Sequence, residues 1–204
     1  MVAASGSTPV SAFSLAQLEA AAAAEGRPLV GLLAEVRATG LALIAEAPLD
    51  QLRDAASAFR AAREAGLDIA RVTVAEMTEG SPLPLFERLR LLQDAGAAVR
   101  AFAPLPRAAS AVQPSTGYED VKVVALARLF LDNIETIQVD WTLYGPKLAQ
   151  VALTFGADDL DNVPPIDDAS AGPRRTALEE VRRNIRAAGL TPVERTGRFQ
   201  PIAR

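Results

Sequence analysis

The residues of this chain best placed to do chemistry are carboxylates and one indole that follow short β-rich runs: Glu46, Glu76, Glu79, and Asp140 with Trp141 directly after it. Carboxylates carry the question because the sequence contains no cysteine and no histidine. Within these residues that excludes thiolate nucleophiles, His-dependent triads, zinc sites of Cys/His type and thiolate-held iron–sulfur clusters. Carboxylates gathered at one mouth repel one another and call for a cation, an amine or shared protons, which is how binding sites are marked. A plainer role competes, because an acidic residue just past a strand also caps the positive end of the next helix. Trp141 likewise has two readings: a ring stacked on a planar ligand with Asp140 accepting from it, or a packed core residue.

The elements that must position these groups follow from hydrophobic periodicity, which repeats a β-rich run and then a helical stretch. Strands are predicted at Val10–Phe13, Leu41–Glu46, Ile69–Glu76, Ala98–Leu105 and Thr136–Trp141. Helices are predicted at Leu15–Glu25 with Ser14 as cap, Pro28–Thr39, from Pro48 and Asp50 to Ala65, from Ser81-Pro82 to Ala95, Gly117–Ile134, Gly145–Phe155 and Thr176–Ala188. Pro104–Pro114 and Gly156–Gly172 read as loops, Pro192–Arg195 as a short strand. Strands that alternate with helices imply a parallel sheet, whose ligands gather at the carboxyl ends of the strands. Ser14, Glu46, Glu76, Glu79, the Pro104-Leu105-Pro106 turn, Asp140 and Trp141 occupy those ends. Five such units fall short of the eight strands that close a barrel, so an open edge remains to be covered by the chain's own C-terminal segments or by a partner. The expected organisation is a flexible stretch over 1–9, a single partial-barrel α/β domain over 10–199 with extra C-terminal helices, and a tail over 200–204.

Composition narrows the partners. A net charge of −4 without a Lys/Arg run offers no electrostatic footprint for nucleic acid or anionic membrane. No signal segment or membrane-length apolar run is present, and a cytoplasmic location is expected. Asp158, Asp159 and Asp161 lack the spacing of a calcium loop, so no metal is expected there. Gly26, Gly31 and Gly40 form no dinucleotide fingerprint. Arg128 is expected to pair with Asp132 one turn on, with Asn133 as a left-handed cap. Lys147 and Gln150 read as architectural, and the arginines at 174–175 and 182–183 as a solvated face.

Two phrases then carry a resemblance: YEDVKVVALARLFLDNIETIQVDW (118–141) and YGPKLAQVALTFGADDLDNV (144–163). They resemble the C-terminal half of the radical S-adenosylmethionine enzymes of the futalosine route to menaquinone, aminofutalosine synthase and dehypoxanthine futalosine cyclase. The likeness continues into IRAAGLTPVERTGRF (185–199) and, more faintly, upstream through residues 10–41 and FERLRLLQDAGAAVRAFAPLP (86–106). What it implies is a half of a TIM-type barrel. The family's C-x3-C-x2-C loop for a 4Fe–4S cluster has no counterpart here. Its glycine-rich turn is reduced to ALIAE (42–46), its Y-G-H turn to AEM (75–77), and its Gly-Gly-Thr stretch to DNVPPIDDAS (161–170).

Scaffold phrases thus persist while ligand-facing turns have drifted. The reading is a cluster-less relative, a non-catalytic subunit or binding module without a cofactor of its own. It is expected to self-associate or to pair with a cluster-bearing paralogue, with a small-molecule ligand at Glu46, Glu76, Asp140 and Trp141. The rivals are a cluster-independent enzyme using Glu46, Glu76 and Asp140 as acid, base or metal ligands, and a binder of a nucleoside or aromatic acid at the same mouth.

Overall fold

The computed structural model describes residues 10–76, 80–107, 116–163 and 177–202. Glu79, residues 1–9, 108–114 of the proline-rich loop, 164–172 of the later loop, the arginine pair at 174–175 and residues 203–204 lie outside the described residues.

Each predicted strand–helix unit is present. The strands are β1 (Ser11–Ser14), β2 (Leu43–Pro48), β3 (Asp68–Ile69), β4 (Val72–Val74), β5 (Ala101–Pro106), β6 (Thr136–Asp140) and β7 (Asp159–Asp161). The helices are α1 (Leu15–Ala24), α2 (Leu29–Ala38), α3 (Ala55–Glu64), α4 (Leu83–Asp94), α5 (Gly117–Phe130), α6 (Trp141–Thr154) and α7 (Ala177–Ala187). The sheet runs β1-β2-β4-β5-β6-β7 with β3 paired beside β2, and every ladder in it is parallel. Apart from β3 and β4, which follow one another directly, helices connect successive strands, so the architecture is an α/β half-barrel with β1 and β7 at the two ends of the strand order among the described residues.

Strand alternation separates two faces. Ile44, Val72, Val74, Phe102, Ile137 and Val139 point to the helices and join Leu15, Leu33, Phe86, Leu89 and Leu131 in one apolar core, which Leu105 enters past the irregularity in the β4–β5 ladder. The Phe86 ring meets Phe102 edge-on at 5.7 Å. The opposite face carries Thr73, Ala101, Ala103, Gln138, Asp140, Asp159 and Asp161, alternating with those core residues. No helix among the described residues is long and apolar enough to cross a membrane.

Several expectations need correction. The stretch 156–172, read wholly as loop, contains β7, which pairs with β6 in the register Gln138↔Asp159 and Asp140↔Asp161. The run Ile69–Glu76 is broken into β3 and β4, which both pair with β2. Asp50 does not open α3: Asp54 caps it by accepting from the Ser57 N–H, while Asp50 accepts from the Ala75 and Glu76 N–H groups at the end of β4. Pro192–Arg195 makes only an isolated bridge, Arg195 to Pro201. Arg128 pairs not with Asp132 but with Asp158 at 2.8 Å, and Asp132 pairs with Arg90 at 3.1 Å. Asn133 is not a left-handed cap; its side-chain amide donates to the Arg90 carbonyl and to Asp94.

Candidate functional site

The polar face of the half-barrel is layered by register. Thr73, Ala103 and Gln138 fall in one row across β4, β5 and β6, continued by Asp159 on β7. One step toward the carboxyl ends stand Asp140 and Asp161 as cross-strand partners. Two like charges in that position destabilise a sheet unless a cation intervenes. Two arginines supply it.

Arg107, the first residue after β5, has its N–H bonded to the Val74 carbonyl at 2.9 Å and its guanidinium turned across the strand ends. Nη1 donates to Asp140 Oδ2, Nη2 reaches Asp161 Oδ2 at 3.3 Å, and Nε lies 4.0 Å from Glu46 Oε2. Arg71, just before β4, also donates to Asp161 Oδ2. One flat cation therefore joins carboxylates from β2, β6 and β7, with a second on Asp161. Ala101 and Ala103, the small residues that β5 presents here, leave room for long side chains over the strand. The lower layer repeats the device: Arg195 grips Asp159 through both oxygens at 2.5 Å, and Gln138 donates to the same carboxylate at 2.6 Å. Burial disfavours the Arg195 charge, but its bonds to Asp159 prevail and hold its ionisation above the ordinary value.

The structure brings together two of the four proposed ligand residues. Glu46 and Asp140 meet through Arg107. Glu46 is held loosely, with the Thr73 hydroxyl 3.5 Å from Oε2 and a side chain 31% exposed. Asp140 is fully engaged: Oδ1 accepts from Leu143 N–H as the N-cap of α6, and Oδ2 accepts from Arg107 and from Asn162 at 2.5 Å. Glu76 stands apart and exposed, its N–H held by Asp50. Trp141 is buried in the apolar core. Ser14, paired with Glu46, stands at the N-cap of α1; its N–H donates to Gln17 at 3.4 Å, and its Oγ has no hydrogen-bond partner.

A short turn completes the mouth. After Trp141-Thr142-Leu143-Tyr144 the helix is kinked at Gly145, whose φ of 75° Pro146 follows. The Tyr144 hydroxyl donates to the Pro106 carbonyl at 2.6 Å and the Thr142 hydroxyl to the Asn162 carbonyl at 2.6 Å, tying the ends of β5 and β7 to the turn after β6.

Sequence reasoning missed Arg71, Arg107, Asp161, Asn162 and Tyr144 as parts of this mouth. A signal existed for two of them. In the run Val72-Thr73-Val74 the alternation puts Arg71 and Thr73 on one face, and Arg107 directly follows a strand end where carboxylates were expected to need a cation. Asp158, Asp159 and Asp161 do not cooperate: they serve Arg128, Arg195 and Arg71 with Arg107 respectively. Among the described residues no cluster of acidic side chains is arranged to hold a metal.

The phrases that carry the family resemblance supply Asp140, Tyr144, Asp161 and Asn162 to this mouth, and they also hold together helix ends away from it. Gln93 donates to the carbonyls of Val99 and Asn133, Asn133 to Asp94, and Arg90 to the Phe130 carbonyl, so the segments around 90–94 and 130–134 clasp one another. Arg128 Nε donates to the Gly156 carbonyl at 2.7 Å.

Residues 101–203, half of the chain, match the family described as the CofH/MqnC C-terminal region. The aminodeoxyfutalosine synthase of Streptomyces coelicolor is 33% identical over 134 residues, covering 55% of this chain and 35% of the synthase. The same enzyme of Thermus thermophilus is 33% identical over 131 residues, 57% of this chain and 35% of the relative. A 5-amino-6-(D-ribitylamino)uracil--L-tyrosine 4-hydroxyphenyl transferase of Methanopyrus kandleri is 38% identical over 111 residues, 51% of this chain and 30% of the transferase. The matched part of this chain spans about a third of the length of these curated relatives.

Proposed function

The chain belongs to the CofH/MqnC C-terminal region family, and from that premise we propose that it is a ligand-binding half-barrel that works with a cluster-bearing partner in chemistry of the futalosine type. The observation that carries the reading is the combination of an open, six-strand parallel path with a sequence lacking any thiol or imidazole. Eight strands close such a barrel. Two further parallel strands, set between β1 and β7, would complete it and bring the thiolates that the family resemblance implies. The residues present do not fit a 4Fe–4S cluster, because its ligands are thiolates. This polypeptide's share of the task is to bind and orient.

The mouth supports that share. Glu46 is the carboxylate with unspent hydrogen-bonding capacity, between the Thr73 hydroxyl and Arg107 Nε. Asp140 sets the shape of the mouth through Leu143, Arg107 and Asn162. A small polar ligand at Glu46, in a binder acting without any partner chain, is the second reading, and the exposure of that carboxylate favours it.

The experiment is sedimentation of the purified chain, alone and with a family member from the same genome that carries the C-x3-C-x2-C loop, followed by electron paramagnetic resonance after anaerobic iron–sulfur reconstitution. A stoichiometric complex whose cluster signal comes only with the partner supports the proposal. A monomer that stays monomeric beside every such protein overturns it in favour of the independent binder, and a cubane signal from this chain alone overturns both.

A further inference from the structure

Gln138 stands on the inner face of an open sheet, yet it has no exposed surface. Beside it Arg195 lies on Asp159, brought there by a segment that follows the last helix. Glu194–Ile202 forms a small hairpin, closed by the Thr196 N–H on the Gln200 carbonyl and the Ile202 N–H on the Glu194 carbonyl, both at 2.8 Å. We propose that this hairpin is a latch, anchored on β7 and closing reversibly on β3, that shuts the amino-terminal end of the half-barrel.

The anchor is built to hold. Arg195 donates through Nε and Nη2 to the two oxygens of Asp159, the first residue of β7, and both side chains are mostly withdrawn from water, at 23% and 13% exposure. Phe199, turned back by a φ of 60°, sets its ring 4.0 Å from the Arg195 guanidinium carbon. A forked ion pair stacked on an aromatic face is among the stronger polar contacts a surface segment can make.

The other end is built to let go. Arg198, three residues further on, reaches Asp68 Oδ2 at the start of β3 by a single contact of 2.8 Å, and these side chains are 40% and 66% exposed. Arg100, just before β5, adds a bond of 3.3 Å from Nη1 to the Arg198 carbonyl. An exposed single pair of this kind is weak and is screened by salt. The two ion pairs fall on opposite sides of β5 and β6 in the strand order, so the hairpin crosses the inner face between a firm and a loose attachment.

The closed state also carries a cost. Gln138 Oε1 is buried beside the anchor without a hydrogen-bond partner, a condition that water admitted by opening relieves. A weak clasp set against an unsatisfied acceptor gives two states of similar free energy. Opening admits water and small solutes from the end opposite the mouth, whether or not another chain completes the barrel.

The test uses the full chain alone. Since the sequence has no cysteine, two spin-label pairs can be introduced at exposed positions: Glu64→Cys with Gln200→Cys reads the closing end, and Thr154→Cys with Gln200→Cys reads the anchor. Pulsed dipolar resonance is expected to give one dominant distance for each pair at low salt. In about 1 M sodium chloride, or with Arg198→Gln or Asp68→Asn at low salt, a longer component of the 64–200 distance should grow about two- to fivefold, as fits one exposed ion pair. The 154–200 distance should not move. The charge-swapped variant, Arg198→Asp with Asp68→Arg, should restore the closed distribution. A 64–200 distance indifferent to salt and to both neutral variants overturns the latch. So does lengthening of both pairs together, which would mean that the hairpin leaves as a whole, and so does a swap that restores nothing.

Discussion

Arg107 Nη1 donates to Asp140 Oδ2 across 33 residues of sequence, and through this bond the end of β5 is fastened to the N-cap of α6. Both side chains are largely withdrawn from water, at 17% and 6% exposure. Removing one member of such a pair leaves the other charge buried without compensation, whereas removing both releases the two desolvation costs together. Asp140→Ala should cost about 3–5 kcal/mol, including about 1 kcal/mol for the lost cap. The Arg107→Ala/Asp140→Ala double variant should cost clearly less than the sum of the single ones, with a coupling of about 1–3 kcal/mol in a urea-unfolding cycle. Additive costs would mean that the pair is energetically idle.

Gly156 sits at φ 112°, a backbone state that disfavours L side chains, and a Cβ there would lie 2.7 Å from Arg128 Cβ and 2.8 Å from its Cγ. Arg128 cannot retreat without surrendering its bonds to the Gly156 carbonyl and to Asp158. Gly156→Ala should therefore destabilise by about 2–4 kcal/mol. The equivalent change at Gly31, which is neither at positive φ nor near any neighbour, should be mild. Comparing the two denaturation midpoints checks the point.

Burial, reinforced by the charge of Asp120 and opposed by that of Arg107, pushes ionisation of the Tyr144 phenol well above its ordinary range. A phenol whose folded pKa is raised contributes stability that is complete below the unfolded value near 10 and is lost as pH rises beyond it. The chain has two tyrosines, so a Tyr118→Phe variant isolates this one. Its tyrosinate absorbance should appear only at strongly alkaline pH, together with unfolding. Titration of a still-folded protein near pH 10 would refute the buried bond to Pro106.

Asp158 behaves opposite to a typical paired carboxylate. Burial raises its pKa, and the attraction of Arg128 and the Ile137 N–H only partly offsets this. With the folded value above the unfolded one, its protonation favours the fold, a contribution present below the unfolded pKa near 3.9 and lost as pH rises through the folded value. The stability difference between wild type and Asp158→Asn should thus move in favour of the wild type as pH is lowered from neutrality toward 4. A movement the other way in chemical denaturation would show that the Arg128 pair dominates.

How much of this was legible in the chain depends on the range of the interaction. The five strand–helix units are visible because alternation and helical period are local: Val72, Val74, Phe102, Ile137 and Val139 announce the core face without any partner being known. β7 was hidden because its sequence is Asp159-Leu160-Asp161, which local chemistry assigns to a loop. It becomes a strand because Arg195, Gln138, Arg71 and Arg107, all remote in sequence, bond to its two carboxylates. The pairing of Arg128 with Asp158 in place of Asp132 has the same origin: one helical turn offers a solvated neighbour, while the fold offers one tied to the β6–β7 ladder. At the mouth, Glu46 and Asp140 were identifiable as strand-end carboxylates, but not the guanidinium between them.

The amino-acid sequence alone settled what chemistry these residues lack and which faces of their elements are apolar, since residue type and short-range periodicity need no third dimension. Only the tertiary structure decided which charges meet, because pairing depends on sheet register and strand order. Those two features placed Arg71 and Arg107 between carboxylates up to 90 residues away, and they turned a set of acidic strand ends into a neutralised, layered mouth.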